Sequence, residues 1–174
     1  MADDARHAVT APARGGMSRR IVASWWAPRR VVRGLAGMPD RVLLAVLLLA
    51  MLLFLVAQAP ILARLAAIDP EVPFEARIGG ALMGVMFIMP LVAYGLAALV
   101  AGLMRLTPWR LAPEASRLAL FWALLAVSPA MLLRGMVGGF LGPGPALDLT
   151  NILAGLGFLM IWGAGISVLA RRAG

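Results

Sequence analysis

The chain is predicted to be all-α: a polytopic transmembrane helical bundle of about four spans, preceded by an interfacial amphipathic helix. Three observations lead there. Hydrophobic residues make up 62% of the 174 positions and charged residues only 14%, against roughly 45–50% and about 25% in soluble domains, so the bilayer has to act as solvent. Second, long stretches are free of charge: Val42–Ala63, Ile78–Met104, Leu118 to about Leu141 broken only by Arg134, and Leu149–Ala170. A bilayer core of about 30 Å needs about 20 apolar residues per helix. Third, runs such as Val42–Ala57 are apolar on every face. They lack the alternation of outer-membrane strands, and helices satisfy their own backbone in lipid.

Residues 1–16 are small, polar and without period, and read as a disordered tail. They have no apolar core of the signal-peptide kind, so the first span is expected to remain in the mature protein. Residues 17–41 form the amphipathic segment. At about 100° per residue, Val31, Val32, Leu35 and Met38 fall opposite Arg29, Arg30 and Arg33, and Ile21, Val22 and Trp25 lie away from Arg19 and Arg20. Pro28 suits a first helical turn. A helix with arginines on one side and tryptophans on the other should lie in the headgroup plane. Trp25, Trp26, Arg29, Arg30 and Arg33 are therefore the expected membrane-surface residues.

Residues 42–174 are the four-helix transmembrane domain, with spans expected at about 42–63, 78–104, 116–141 and 149–170. Pro60 falls in the last turn of the first span. Residues 64–77, with Asp69, Pro70, Glu71, Pro73 and Glu75, are a turn-rich acidic connector. The second span is longer than a perpendicular crossing needs and is expected to bend at Pro90. A polar connector follows over 105–117. The third span contains Pro129 and runs into the turn Gly142-Pro143-Gly144-Pro145, and the fourth stops at Arg171–Arg172.

All sixteen basic residues are arginine, and they are distributed unevenly. With four spans, the N-terminal segment, the second connector and the C-terminus share a side carrying thirteen of them. The other side has Arg64, Arg77 and Arg134. By the positive-inside rule both termini are expected on the cytoplasmic side.

Arg134 falls inside the third span. Counting about 1.5 Å per residue from Ala115, it lies roughly 28 Å along, where its long side chain can snorkel to the far interface. The sharper reading makes it a lipid-headgroup or anion contact with Asp148 across the turn. Arg134 and Asn151 are the candidate lipid or partner contacts. Gly80-x-x-x-Gly84 and Gly135-x-x-x-Gly139 have the spacing of close helix approach, inside the bundle or on a face for another membrane protein.

Catalytic and cofactor chemistry has little to stand on. The chain has no cysteine and one histidine, His7, and every Asp and Glu lies in a loop or the tail. Phosphate-loop, dinucleotide and zinc-protease motifs are missing, and Ser24, Ser128 and Ser167 have no histidine base. No catalytic, cofactor or metal site is expected, and the basic charge, clustered beside spans, points to membrane surface and not to nucleic acid.

The linear pattern resembles the small bacterial branch of the Yip family, the Ypt/Rab-GTPase-interacting membrane proteins. The residues that carry the likeness are Pro28-Arg29-Arg30-Val31-Val32, Val56-Ala57-Gln58-Ala59-Pro60, Gly84–Ala98, Arg117–Leu125, Ser128-Pro129 and Gly138–Leu147. The resemblance covers roughly Pro28 to Ala170. It implies a multispanning helical domain with a cytosolic N-terminal region. The expected role is non-enzymatic: association with lipids or membrane proteins, as an accessory subunit or by self-association. The alternative is a small transporter or lipid-handling protein.

Overall fold

The computed structural model describes residues 16–172. The expected tail thus lies outside the described residues, Gly16 apart. Among the described residues, four helices are long and apolar enough to cross a membrane. They are α3 (Asp40–Ile68), the bent pair α4 (Phe74–Met83) and α5 (Met89–Met104), α6 (Pro113–Phe140) and α7 (Pro145–Leu169). Two short helices, α1 (Met17–Trp26) and α2 (Pro28–Arg33), precede them.

Helix ends follow local chemistry. Asp40, Glu75, Glu114 and Asp148 occupy first turns, where carboxylates oppose the helix dipole favourably. Pro28, Pro113 and Pro145 open α2, α6 and α7, positions whose N–H groups have no intrahelical partner. α3 runs past its expected end at Ala63 to Ile68 and stops at Asp69, the residue before Pro70, for which helical geometry is disfavoured. In the turn before α7, Gly142 and Gly144 have φ of 81° and 153°, a region that side chains other than glycine resist.

The internal prolines are absorbed in different ways. Before Pro90 the helix widens into a π segment over Gly84–Ile88, which accommodates the missing N–H and the ring in a single turn. Pro129 deprives the Leu125 carbonyl of its usual donor, and the Ser128 hydroxyl donates to that carbonyl at 2.8 Å. Pro60 lies inside α3, which continues through it.

The spans alternate in direction, and contacts fix the two ends. Arg117 pairs with Asp40 at 3.1 Å, joining the starts of α6 and α3. The strands β1 (Trp109–Arg110) and β2 (Arg171–Arg172) form a two-residue antiparallel ladder that ties the α5–α6 connector to the end of α7. These groups define an arginine-rich end. At the opposite end, Arg64 donates to the carbonyls of Gly139 and Phe140 at 3.4 and 3.5 Å, placing a cation on the C-terminus of α6. Arg77 closes the acidic connector with bonds to the Val72 and Asp69 carbonyls and a 2.7 Å ion pair to the Asp69 carboxylate.

α6 is the hub. In its most apolar stretch 56% of residues are buried, against 17% for the α4–α5 span. Ser116 donates from α6 to the Ala97 carbonyl of α5 at 2.7 Å, and the Tyr94 and Phe121 rings meet edge-on at 5.0 Å. The α3–α6 contact is closest at two glycines. A Cβ on Gly135 would overlap the Ala57 carbonyl oxygen, and one on Gly139 would lie 2.7 Å from the Pro60 carbonyl carbon. This pair packs inside the chain, as its spacing allows. Gly80 and Gly84 do not: an added Cβ at either meets nothing within 4 Å, because both point away from α3, the helix that α4 and the π segment pack against.

The N-terminal segment packs on the bundle. It is helical, but it runs lengthwise along α6 and α7 and does not lie across the end of the bundle. Val32, fully buried, packs near Ala119 and Gly165, close to the arginine-rich end. Trp25 packs on Gly157, where a Cβ would sit 2.5 Å from its Cη2, and its indole N–H donates to the Ala126 carbonyl at 3.0 Å. Gly157 is twelve residues from either end of α7, and Ala126 is midway along α6. Ile21 and Val22 reach beyond, sharing a cavity with Pro129, Leu133 and Leu153. Trp25 therefore packs midway along α6 and α7. The physical reason is shape: Gly157 leaves a notch that an indole fills.

Candidate functional site

The residue singled out inside a span, Arg134, sits on α6 six positions before its end, and Asn151 sits on α7 six positions after its start. Both are about 9 Å from the Gly142–Gly144 turn at 1.5 Å per residue. The short turn sets the two helices antiparallel in a register that brings these side chains together. The Arg134 Nε donates to the Asn151 Oδ1 at 2.6 Å. The expected partner, Asp148, does not pair with Arg134. It belongs to the first turn of α7, one helical turn nearer the connecting loop.

Below this polar pair lies an apolar groove of about 250 Å³. Phe54 of α3 closes one side, Leu124, Val127 and Met131 of α6 form the floor, and Ala154, Gly155 and Phe158 of α7 form the other wall. Gly155 leaves open space where another residue would fill it. The guanidinium uses its Nε on an uncharged amide and has no acidic partner among the described residues. It thus keeps its full charge at the mouth of an apolar channel. A cation within a span is costly unless it reaches the interface or an anion, and an amphiphile with an anionic head and an alkyl chain matches both parts.

The other candidates separate. Trp26 is 82% exposed, and Arg29, Arg30 and Arg33 are exposed along α2. Arg29 and Arg30 line a cavity with Gly163, Ala164 and Ser167 towards the arginine-rich end of α7. Trp25 belongs to the core contact described above. Beneath it the Trp122 indole N–H donates to the Ser24 hydroxyl at 2.9 Å, and Ser24 donates to the Arg20 carbonyl.

Sequence reasoning found Arg134 and Asn151 but missed the groove walls and the cap supplied by Arg64. Phe54, Met131 and Phe158 are ordinary span residues in composition, and only the helix register brings them together. Among the described residues no group of three or more His, Cys, Asp or Glu is arranged to hold a metal. No protein-family model, curated protein or solved structure matches this chain.

Proposed function

We propose that this multi-pass membrane protein is non-enzymatic and works through association within the bilayer, with an anionic lipid as the partner its geometry fits best. The observation that carries the reading is the apolar groove between α3, α6 and α7, headed by the Arg134–Asn151 pair. A carboxylate or phosphate head would take the guanidinium donors that Asn151 leaves free, and one alkyl chain would lie along Val127, Met131 and Phe158. Such a charge-assisted contact is stronger than a neutral one. The same feature favours lipid handling over transport of a polar solute, since the groove offers one polar head and an apolar length.

The Yip-like pattern supports an association role, and the exposed, lightly packed α4–α5 span with its open Gly80 and Gly84 offers room for a membrane-protein neighbour or a second copy. The proposed setting is a bacterial inner membrane, with the arginine-rich end cytoplasmic by the positive-inside rule. Arg29, Arg30 and Arg33 would then meet that leaflet's headgroups.

The test is lipid retention. The full chain, purified in mild detergent, is expected to carry a bound anionic lipid in native mass spectrometry, and Arg134→Ala is expected to retain one fewer than wild type while Arg134→Lys keeps part of it. A wild-type chain free of lipid, or an Arg134→Ala chain with undiminished retention, would overturn the proposal.

A further inference from the structure

A second, larger cavity lies at the other end of the bundle. It is a bowl of about 830 Å³ framed by the α2–α3 link, the α5–α6 connector and the end of α7. Arg105, Arg110 and Arg171 line it, with Leu111, Leu118 and Leu169 among its apolar residues. Leu111 and Leu118 are buried, so the bowl has a packed apolar floor beneath exposed cations.

Two of the arginines are held together by backbone. Arg110 and Arg171 are directly opposite partners in the β1–β2 ladder. Opposite residues of an antiparallel pair project to the same face, about 4.5–5.5 Å apart at Cβ, and like charges there are destabilising. The ladder therefore holds two cations side by side against their repulsion. Acidic residues at the rim do not cancel them. Asp40 is engaged by Arg117 at 3.1 and 3.2 Å, which leaves Glu114 against three arginines.

Depth fixes the chemistry further. The bowl sits where the spans begin and end: its rim includes Asp40 and Pro113, the first residues of α3 and α6, and Leu169, the last residue of α7. That is the headgroup level of a bilayer, and its apolar floor continues into the spans. Basic pockets between helices at the cytoplasmic face suit anionic lipid heads.

We propose that this bowl binds the phosphate of an anionic phospholipid, with Arg110 and Arg171 clamping the phosphate oxygens and Arg105 closing the third side. The inference uses none of the Arg134 groove residues and lies at the opposite end, so either can fail without the other.

The experiment titrates the purified full chain, in detergent, with phosphatidylglycerol, cardiolipin or phosphatidylcholine and reads adducts by native mass spectrometry. The anionic lipids are expected to bind in preference to phosphatidylcholine. At about 1 kcal/mol per surface arginine, which converts to about fivefold in affinity, Arg105→Gln should weaken binding about fivefold and Arg110→Gln/Arg171→Gln about twenty-five-fold. Arg110→Lys/Arg171→Lys should recover part of it, and the same series read in an Arg134→Ala background counts only adducts at the bowl. Arg105 lies outside the ladder, so its variant reads the site even where the double variant disturbs the fold. Equal binding of phosphatidylcholine, or unchanged anionic binding in Arg105→Gln, would overturn the proposal. Binding of inorganic phosphate that competes the lipid away at equal concentration would assign the bowl to a soluble phosphate and overturn the lipid assignment.

Discussion

The sharpest test of the fold is one methyl group placed at two glycines of identical sequence spacing. At Gly135 an added Cβ would overlap the Ala57 carbonyl oxygen and lie 2.7 Å from its carbon. Both obstacles are backbone, so no rotamer change relieves them and α3 must part from α6. Overpacking of this kind costs about 1–3 kcal/mol, against a helix-propensity gain for Gly→Ala of about 1 kcal/mol. At Gly80 nothing lies within 4 Å, and only the gain remains. Gly135→Ala should therefore be less stable than Gly80→Ala by about 1–3 kcal/mol, because the propensity gain is common to both and leaves the overpacking cost as the difference. The measurement is unfolding in mixed micelles of mild detergent and dodecyl sulfate, followed by circular dichroism. Equal midpoints for the two variants would refute the assignment of α3–α6 as the glycine-mediated contact. A larger loss at Gly80 would show that this glycine, and not Gly135, is the packed one.

Three further outcomes follow from named contacts. With the other four tryptophans replaced by phenylalanine, Trp26, which is 82% exposed beside the mid-height Trp25, should be quenched most by lipids brominated deep in their chains. Maximal quenching by bromines near the headgroups would restore the surface-lying helix. A double-mutant cycle of Ser24→Ala with Trp122→Phe should give a coupling of about 0.6 kcal/mol, with a ceiling near 1.7, the range of buried bonds between membrane helices; zero coupling would remove the Trp122–Ser24 bond from the account. Arg64→Met should lose the cation on the α6 carbonyls, worth about 0.3–1 kcal/mol, and speed amide exchange in the 141–144 turn. Unchanged exchange there would show that the cap contributes nothing.

The four spans were legible because they are apolar on every side, a property that needs no partner to be recognised. Their ends were legible to within a few residues, since Pro70, Pro113 and Pro145 act locally. The N-terminal segment was not. Its division into an apolar and a basic side is the same whether the apolar side faces headgroups or the flanks of two helices. What decides is the fit of Trp25 against Gly157 and the Ala126 carbonyl, more than a hundred positions away in sequence. The glycine pairs fail for the same reason: Gly80–Gly84 and Gly135–Gly139 have one spacing, and only the neighbouring helix distinguishes them. Arg134 and Asn151 were each visible as polar residues in spans, but their pairing depends on the turn that sets the register of α6 on α7.

Arginine is costly in this setting, so where each guanidinium finds its compensation separates structural cations from functional ones. Arg64 sits on the open carbonyls at the end of α6, Arg77 closes a loop on Asp69, and Arg117 joins two helix starts through Asp40. Each is explained by the fold it stabilises. Arg134 is different, because its partner is a neutral amide and its charge stays unspent at the mouth of a groove. Arg110 and Arg171 go further, since the ladder that positions them sets one positive charge against another. Had tethering the C-terminus been the ladder's sole purpose, one cation opposite an acidic or neutral residue would have held it more cheaply. A repulsive pair fixed by backbone over an apolar floor gains compensation from an anion, and at the level where the spans meet water the proposed lipid phosphate would supply it.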